Sequence, residues 1–248
     1  MLLSAWQLAI GTLTAIPVLP PRTVDRRVAG LAMMLAPFAV LPLAFAVGLL
    51  AVTGLPAPIK GVLAVGVLAL GTRAFHLDGL SDTVDGLAAS YDRERSLAVM
   101  KSGTAGPAGV VALIVVIGLQ AVGFAYVLHG WRGGMLGGLA VVVSRVALAS
   151  CCTRGVPSAR PGGLGDTFAQ TVPVMVTGLW WTAGAVALTF AGLEAHLVWW
   201  RGPLAVLVAF HTVIALILHV RKRLGGVTGD VFGAEIEVAL AGLLVVLA

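Results

Sequence analysis

Long apolar stretches alternate with short polar breaks along nearly the whole chain. A helix needs about 20 apolar residues to cross the hydrocarbon core of a bilayer. Seven stretches approach this length, although the second is short and is prolonged by an acidic segment. They are residues 28–55, 59–75, 107–128, 134–153, 172–193, 203–220 and 231–248. The pattern predicts an all-α, polytopic membrane helical bundle that forms a single transmembrane domain over residues 1–248.

The first apolar run, residues 2–19, differs from these seven. It is interrupted by Gly11, Pro17 and two threonines. Such interruptions are more typical of a helix that lies at the membrane interface than of a complete span. We therefore expect an interfacial or half-inserted N-terminal helix.

The composition restricts the class of protein further. A soluble domain carries about 25% charged residues, whereas this chain of 248 residues carries 11% and is 59% hydrophobic, with a mean hydropathy of +1.02. It has too few charged residues to cover a water-soluble surface. Its two cysteines, Cys151 and Cys152, are adjacent and have no other soft ligand nearby, which disfavours both a disulfide and a zinc site.

The basic residues predict the orientation of the chain. If the segment at residues 22–27 is cytoplasmic, twelve basic residues fall on that side and three on the other, while Arg145 lies inside a span. Such a bias marks the cytoplasmic loops of a membrane protein and does not indicate nucleic acid. We expect a multi-pass membrane protein with its chemistry facing the cytoplasm. The twelve are Arg22, Arg26, Arg27, Arg73, Arg93, Arg95, Lys101, Arg154, Arg160, Arg221, Lys222 and Arg223.

Three carboxylates crowd into eight residues of this charge-poor chain. Asp78, Asp82 and Asp85 are spaced i, i+4 and i+7, which places them within a sector of roughly 60° on one helix face. Three unpaired aspartates at this spacing repel one another, and a divalent cation relieves the repulsion. Hard carboxylate oxygens suit magnesium. The alternative is a solvated acidic helix face, which the low charge elsewhere and the neighbouring Gly79 and Gly86 disfavour.

Two glycine-containing polar loops fall on the same predicted side. Residues 154–166 offer Arg160 and several backbone amides, which suit a phosphate group. Residues 225–235 place Asp230 beside glycines at the start of the last apolar stretch. Either loop alone is a weak indication of function, but their common side with the aspartates favours one shared site.

Two further side chains are candidates for binding substrate. Arg145 lies inside a span, where an arginine usually faces a substrate anion or a structural partner, here Glu235 or Glu237. His76 directly precedes the aspartates but points away from them on an ideal helix, so it is expected to bind substrate and not metal.

These residues together predict a metal-dependent displacement at phosphorus on a phosphorylated substrate. The competing interpretation is an ion-coupled transporter, which predicts acidic residues near the middle of the bilayer and an inverted repeat. The acidic residues of this chain lie at one edge instead, and no repeat is visible.

At the acidic motif the chain resembles the cobalamin synthase family, the adenosylcobinamide-GDP ribazoletransferases. The family pattern H-x-D-G-x-x-D-x-x-D-G is present from His76 to Gly86, and D-R-E-R follows at residues 92–95. Other parts of the chain are similar to the family as well, namely Thr14 to Val18, Ser144-Arg145, Ala159-Arg160 and Gly226 to Gly233. The chain departs from the pattern at Ala15 and at Ser102-Gly103-Thr104, where many members carry arginine and Asp-Ser-Arg.

The resemblance implies a reaction and a set of site residues. α-Ribazole, or its 5′-phosphate, attacks adenosylcobinamide-GDP, GMP leaves, and adenosylcobalamin or its phosphate forms with Mg²⁺ as cofactor. The expected metal ligands are Asp78, Asp82 and Asp85, one of which, or Asp230, assists deprotonation. The expected substrate-binding residues are His76, Lys101, Arg145, Arg160, Thr228 and Gly229. Membrane lipid is an expected partner, and a homo-oligomer or an assembly with other cobalamin enzymes is a further expectation.

A neighbouring family, the CDP-alcohol phosphotransferases of lipid synthesis, uses a comparable motif, D-G-x-x-A-R followed by G-x-x-x-D-x-x-x-D. In this chain no Ala-Arg follows Asp78-Gly79, and the later spacing differs. This family is therefore the alternative, ahead of the transporter.

Overall fold

The computed structural model describes all 248 residues, which form thirteen helices and no strand longer than an isolated bridge. The all-α prediction is confirmed. The helices are α1 (Leu2–Leu13), α2 (Arg26–Ala39), α3 (Leu41–Leu50), α4 (Ala57–Gly71), α5 (Phe75–Ala89), α6 (Arg93–Val99), α7 (Pro107–Val127), α8 (Gly130–Ser144), α9 (Val146–Cys151), α10 (Leu164–Phe168), α11 (Val174–Glu194), α12 (Arg201–Leu224) and α13 (Gly229–Leu247).

Five helical segments are long and apolar enough to cross a membrane, so the chain is a multi-pass membrane protein. They are Arg26–Leu50, Pro107–Val127, Gly130–Cys151, Val174–Glu194 and Arg201–Leu224; α4 and α5 together would make a sixth. The predicted count of about seven is corrected accordingly. α4 has only 15 residues, and α13 carries three acidic residues among its apolar ones. α5, which carries three aspartates, is not part of any of these five spans.

α13 is the central helix of the bundle. It contacts α5, α7, α8, α9, α10 and α12, and side chains on all its faces are buried, including Ile236, Leu240, Leu243 and Leu244. A helix that is apolar all round packs inside a protein. The last predicted span is therefore surrounded by other helices.

A sharp bend between α4 and α5 orients the acidic helix. The two helix axes meet at 90°, and Arg73 and Ala74 at the bend both have a φ of 56°. This left-handed conformation is uncommon for residues other than glycine. The N-terminal segment holds the bend, because Ala15 N donates to Gly71 O at 2.6 Å and Arg73 Nη2 donates to Gly11 O at 2.6 Å.

The N-terminal helix is shorter than its apolar run. α1 ends at Leu13, and residues 14–25 contain no helix. Its buried residues, Ala5, Ala9 and Leu13, join the main hydrophobic core, and the helix packs against α2. The predicted N-terminal helix is thus present, but it covers residues 2–13 only, and its position at the membrane interface stays a prediction.

Candidate active site

A cavity of about 600 Å³ opens beside the start of α5 and the start of α13. Its wall is completed by α1, α2 and the loop that precedes α10. Seven of the ten residues predicted from the sequence for catalysis, metal binding or substrate binding line this one cavity. They are His76, Asp78, Lys101, Arg160, Thr228, Gly229 and Asp230.

Two glycines bring α5 and α13 into close contact at this cavity. A Cβ atom on Gly79 would lie 2.5 Å from Asp230 O, and a Cβ on Gly233 would lie 2.9 Å from His76 Cα. Only residues without a side chain allow the two backbones to approach so closely. The crossing therefore places the first two aspartates of α5 beside the first turn of α13.

Two of the carboxylates at this crossing lack the partner that a structural ion pair would supply. Asp78 is exposed, Asp82 is half-buried, and neither forms a salt bridge with a basic side chain. Burial, and then the charges of Asp78, Asp230 and Asp85, raise the pKa of Asp82 to about 6. Burial also raises the pKa of Asp230, while a hydrogen bond from Thr228 and the charge of Arg160 act in the opposite direction. A carboxylate whose pKa is raised by neighbouring carboxylates lies in a favourable environment for a cation.

Asp85 has different surroundings from Asp78 and Asp82. It is buried, and its two oxygens accept hydrogen bonds from Gly106 N at 2.6 Å and Gly109 N at 2.8 Å. These amides belong to the N-terminal end of α7, where the helix dipole favours a negative charge. The contacts of Asp85 therefore support a role in holding α7 against α5, and they leave its predicted role as a metal ligand without structural support.

The two glycine-containing loops meet, as their common side predicted. Ala159 N donates to Val227 O at 2.9 Å, and Val227 N donates to Pro157 O at 2.9 Å. Arg160 Nη2 lies 3.4 Å from Asp230 Oδ2, and the second terminal nitrogen of Arg160 has no partner. The loops thus present a guanidinium group and a carboxylate side by side at the cavity.

Arg145 lies away from this cavity. It is 1% exposed, falls at the break between α8 and α9, and donates to Val141 O at 3.1 Å and to Ser144 Oγ at 2.8 Å. It forms no salt bridge with Glu235 or Glu237. Arg145 does not line the cavity, although its charge acts on His76 and Glu237 inside the bundle.

His76 connects the cavity to a polar cluster inside the bundle. Its Nδ1 lies 3.7 Å from Glu237 Oε1, and Gln120 Nε2 donates to Glu237 Oε2 at 2.7 Å. Gln120 and Glu237 are both buried. The cluster fixes the wall of the cavity behind His76.

Sequence reasoning missed several residues that line the cavity. The sequence pattern places Arg73 only among the basic residues of the cytoplasmic side, although it lies three residues before the acidic motif. The backbone of Gly162, Gly163 and Gly165 also lines the cavity. The sequence predicts that this loop binds a phosphate group, but it does not single out these three glycines. The apolar part of the wall could not have been identified, because its side chains come from α1, α2, α9, α10 and α13 and share no local pattern.

The aspartates do not form a closed metal cage. No group of three or more His, Cys, Asp or Glu side chains is arranged to hold a metal ion. Magnesium, however, usually keeps several water ligands and binds one or two carboxylates together with substrate phosphates. The partner-free carboxylates of Asp78 and Asp82 fit such a shared site.

Comparison with known proteins agrees with the motif. Residues 5–248 match the family model described as cobalamin-5-phosphate synthase. The chain is 50% identical to an adenosylcobinamide-GDP ribazoletransferase of a Nocardioides species, over 97% of this chain and 96% of the relative. It is 36% identical to the enzyme of the same name from Frankia casuarinae, over 97% and 92% of the two chains. No solved structure matches the chain.

Proposed function

The chain belongs to the cobalamin-5-phosphate synthase family and is a transferase, and on that premise we propose that it joins α-ribazole, or its 5′-phosphate, to adenosylcobinamide-GDP and releases GMP. The observation that carries the proposal is the α5–α13 crossing. It brings Asp78, Asp230, Arg160 and a glycine-rich loop to one cavity, with Asp82 one turn further along α5. The membership sets aside the lipid phosphotransferase and the transporter.

The bond changes define what the residues have to do. An oxygen of the ribose bonds to the phosphorus atom attached to the cobinamide. The bond between that phosphorus and the bridging oxygen breaks, and the bridging oxygen leaves with GMP. The protein must hold the diphosphate, orient the ribose hydroxyl and accept its proton.

We assign the diphosphate to Asp78, Asp82, Arg160 and Lys101. Magnesium bound by the two aspartates would supply positive charge next to the phosphate oxygens. Arg160 has a terminal nitrogen without a partner, and Lys101 is exposed at the cavity, so both can contact the same oxygens. Backbone amides of residues 163–165 extend this anion-binding surface.

We assign to Asp230 the role of accepting the proton of the ribose hydroxyl. Its carboxylate lines the cavity and accepts a hydrogen bond from Thr228 Oγ1 at 3.1 Å, which fixes its orientation. A raised pKa suits a group that accepts a proton near neutral pH. His76 and Gly229 also line the cavity and are assigned to positioning the ribose.

The reaction is proposed to take place on the cytoplasmic side of the inner membrane. The support is the distribution of basic residues, since Arg73, Lys101 and Arg160 all line the cavity and all belong to the loops that the positive-inside rule assigns to the cytoplasm.

The test is GMP release from adenosylcobinamide-GDP and α-ribazole 5′-phosphate by the purified protein in liposomes, with magnesium and with EDTA. We expect GMP and a cobamide in equal amounts with magnesium and neither product with EDTA. A folded sample that releases no GMP under either condition would contradict the proposal, and CDP-alcohol substrates would be assayed next. GMP release that continues in EDTA would contradict the magnesium site alone.

A further inference from the structure

The cavity has two chemically distinct parts. Its charged part holds the side chains of Asp78, Lys101, Arg160 and Asp230. Another part is an apolar wall formed by six side chains from five helices, each at most 5% exposed: Leu13, Met33, Leu148, Phe168, Phe232 and Ile236. Phe168 and Phe232 pack edge to face, with ring centroids 6.3 Å apart.

The hydroxyl groups at the cavity are already used within the protein. Thr12 Oγ1 donates to Leu8 O at 2.7 Å, and Ser158 Oγ donates to Arg160 O at 2.8 Å. Thr228 Oγ1 donates to Asp230 and accepts from Val231 N. These hydroxyls have already donated their hydrogens, and the six side chains of the apolar wall carry no hydroxyl, amide or charged group. A group buried against the wall must therefore need few hydrogen bonds.

The size of the cavity limits which substrate can enter. A volume of about 600 Å³ is typical of a site for one small molecule. It suits a nucleoside phosphate, whereas a corrin ring with its side chains is much larger. The two candidates are thus the guanosine end of adenosylcobinamide-GDP and the α-ribazole.

The two bases differ in the free energy of burying them against an apolar wall. Guanine carries a carbonyl oxygen, an amino group and a ring N–H, and each of these loses a water partner against an aliphatic and aromatic wall. Burying such a polar group without a partner costs about 1–3 kcal/mol. The benzimidazole base of α-ribazole is flat, aromatic and has a single free ring nitrogen, so its burial is favourable.

We propose that the apolar wall is the binding site for the base of α-ribazole, and that adenosylcobinamide-GDP lies across the charged mouth of the cavity. This assignment rests on the proposed function. It orders the substrates in space: the nucleoside lies inside with its ribose toward Asp230, and the diphosphate crosses above it. It also makes the wall the determinant of which bases are accepted.

Met33 provides the test, because its neighbour Met34 has the same chemistry but does not line the cavity. Methionine is flexible and fills irregular space, so Met33→Phe reduces the room next to the base. We expect Met33→Phe to raise the KM for the 5,6-dimethylbenzimidazole riboside about tenfold, the effect of roughly one misplaced methyl group in an apolar pocket. The KM for the unsubstituted benzimidazole riboside should rise less, and the KM for adenosylcobinamide-GDP should not change.

Met34→Phe is the matched control and should leave all three KM values unchanged. Met33→Ala is the second variant in case the larger side chain prevents folding. It should weaken binding of both ribosides and reduce the discrimination between them. Binding is also measured without turnover, as the rise in melting temperature that each riboside causes in the absence of the corrinoid.

Three results would overturn the assignment. A rise in the KM for adenosylcobinamide-GDP alone would place guanosine against the wall. Equal effects of Met33→Phe and Met34→Phe would show a general disturbance of α2. Unchanged KM values and melting shifts in both Met33 variants would show that the base binds elsewhere. Failure of the proposed function looks different, since the wild-type protein would then release no GMP.

Discussion

The two halves of α5 carry the same kind of side chain under different conditions. In the first half, Asp78 and Asp82 face the start of α13 and have no basic partner. In the second half, one turn later, Asp85 is buried and accepts two backbone N–H groups from the start of α7. The helix repeat gives all three aspartates one face, but the neighbouring helix decides what each carboxylate does.

The difference is one of cost. A carboxylate at a helix N-terminus is stabilised by the dipole and by charge-assisted hydrogen bonds, so Asp85 favours the folded state. A carboxylate such as Asp82, whose pKa is raised by burial and by neighbouring carboxylates, opposes folding at neutral pH, and such arrangements are concentrated at functional sites. The first half of α5 therefore lowers the stability of the folded state where the site lies, and the second half raises it. Substitutions in the first half should lower turnover without lowering stability, and substitutions in the second half should lower stability with little effect on turnover.

The largest expected effect comes from Asp82→Asn. Removing this charge should lower GMP release at least about 100-fold, because a charged group that stabilises the transition state contributes roughly 3 kcal/mol. The melting temperature should stay the same or rise, since a repulsion is removed. GMP release and thermal unfolding of the same preparation measure both. Glu94→Gln, at an exposed acid on α6, is the control; normal turnover in Asp82→Asn would remove the residue from the site.

Asp85→Asn should show the reverse signature. Asparagine has one acceptor oxygen for two amide donors, so one hydrogen bond to the carboxylate is lost and the free energy of unfolding should fall by about 2 kcal/mol. Turnover per folded molecule should change by only a few-fold. Unfolding in denaturant, together with GMP release normalised to folded protein, checks this. A stable but inactive Asp85→Asn variant would contradict this and support the role of Asp85 as a metal ligand.

Gly79→Ala tests whether the closeness of α5 and α13 is what makes the first half functional. The new Cβ would lie 2.5 Å from Asp230 O, so the helices must separate, at a cost of about 1–3 kcal/mol. Because catalytic groups are displaced as well, turnover should drop about tenfold or more. Gly66→Ala in α4, where a Cβ meets nothing within 4 Å, should keep full activity. Equal activity in both variants would mean that the crossing distance does not matter.

The smallest effect is expected for Arg160→Lys. Lysine keeps the positive charge beside Asp230 but loses the planar fork that can hold two phosphate oxygens. The KM for adenosylcobinamide-GDP should rise about fivefold, roughly 1 kcal/mol, with stability unchanged because the pair is partly exposed. An unchanged KM in initial-rate kinetics, with the riboside saturating, would exclude Arg160 from the diphosphate site.

The site could be predicted from the sequence to the extent that it depends on local spacing. The i, i+4 and i+7 aspartates and the two glycine-containing loops are local patterns, and seven of the ten chosen residues meet at one cavity. Asp85 and Arg145 show the limit of this reasoning. Spacing tells which face a residue occupies, but only the packing of distant helices tells whether a backbone amide or a cavity lies opposite.

The fold shows a similar division. Apolar length identified the five long helices, because crossing a bilayer imposes that length on each helix separately. It could not show that α13 is enclosed by its neighbours, or that α4 ends in a 90° turn. Both features result from contacts between segments far apart in the chain, such as those of residues 11 and 15 with the bend.

The α5–α13 crossing also fixes the order in which the enzyme can be completed. Translation proceeds from the N-terminus, so α5 is synthesised well before α13. Until α13 packs against α5, the aspartates have no second wall, the glycines that permit close contact have nothing to contact, and the cavity does not exist. The site is thus completed only when two helices far apart in the chain have met.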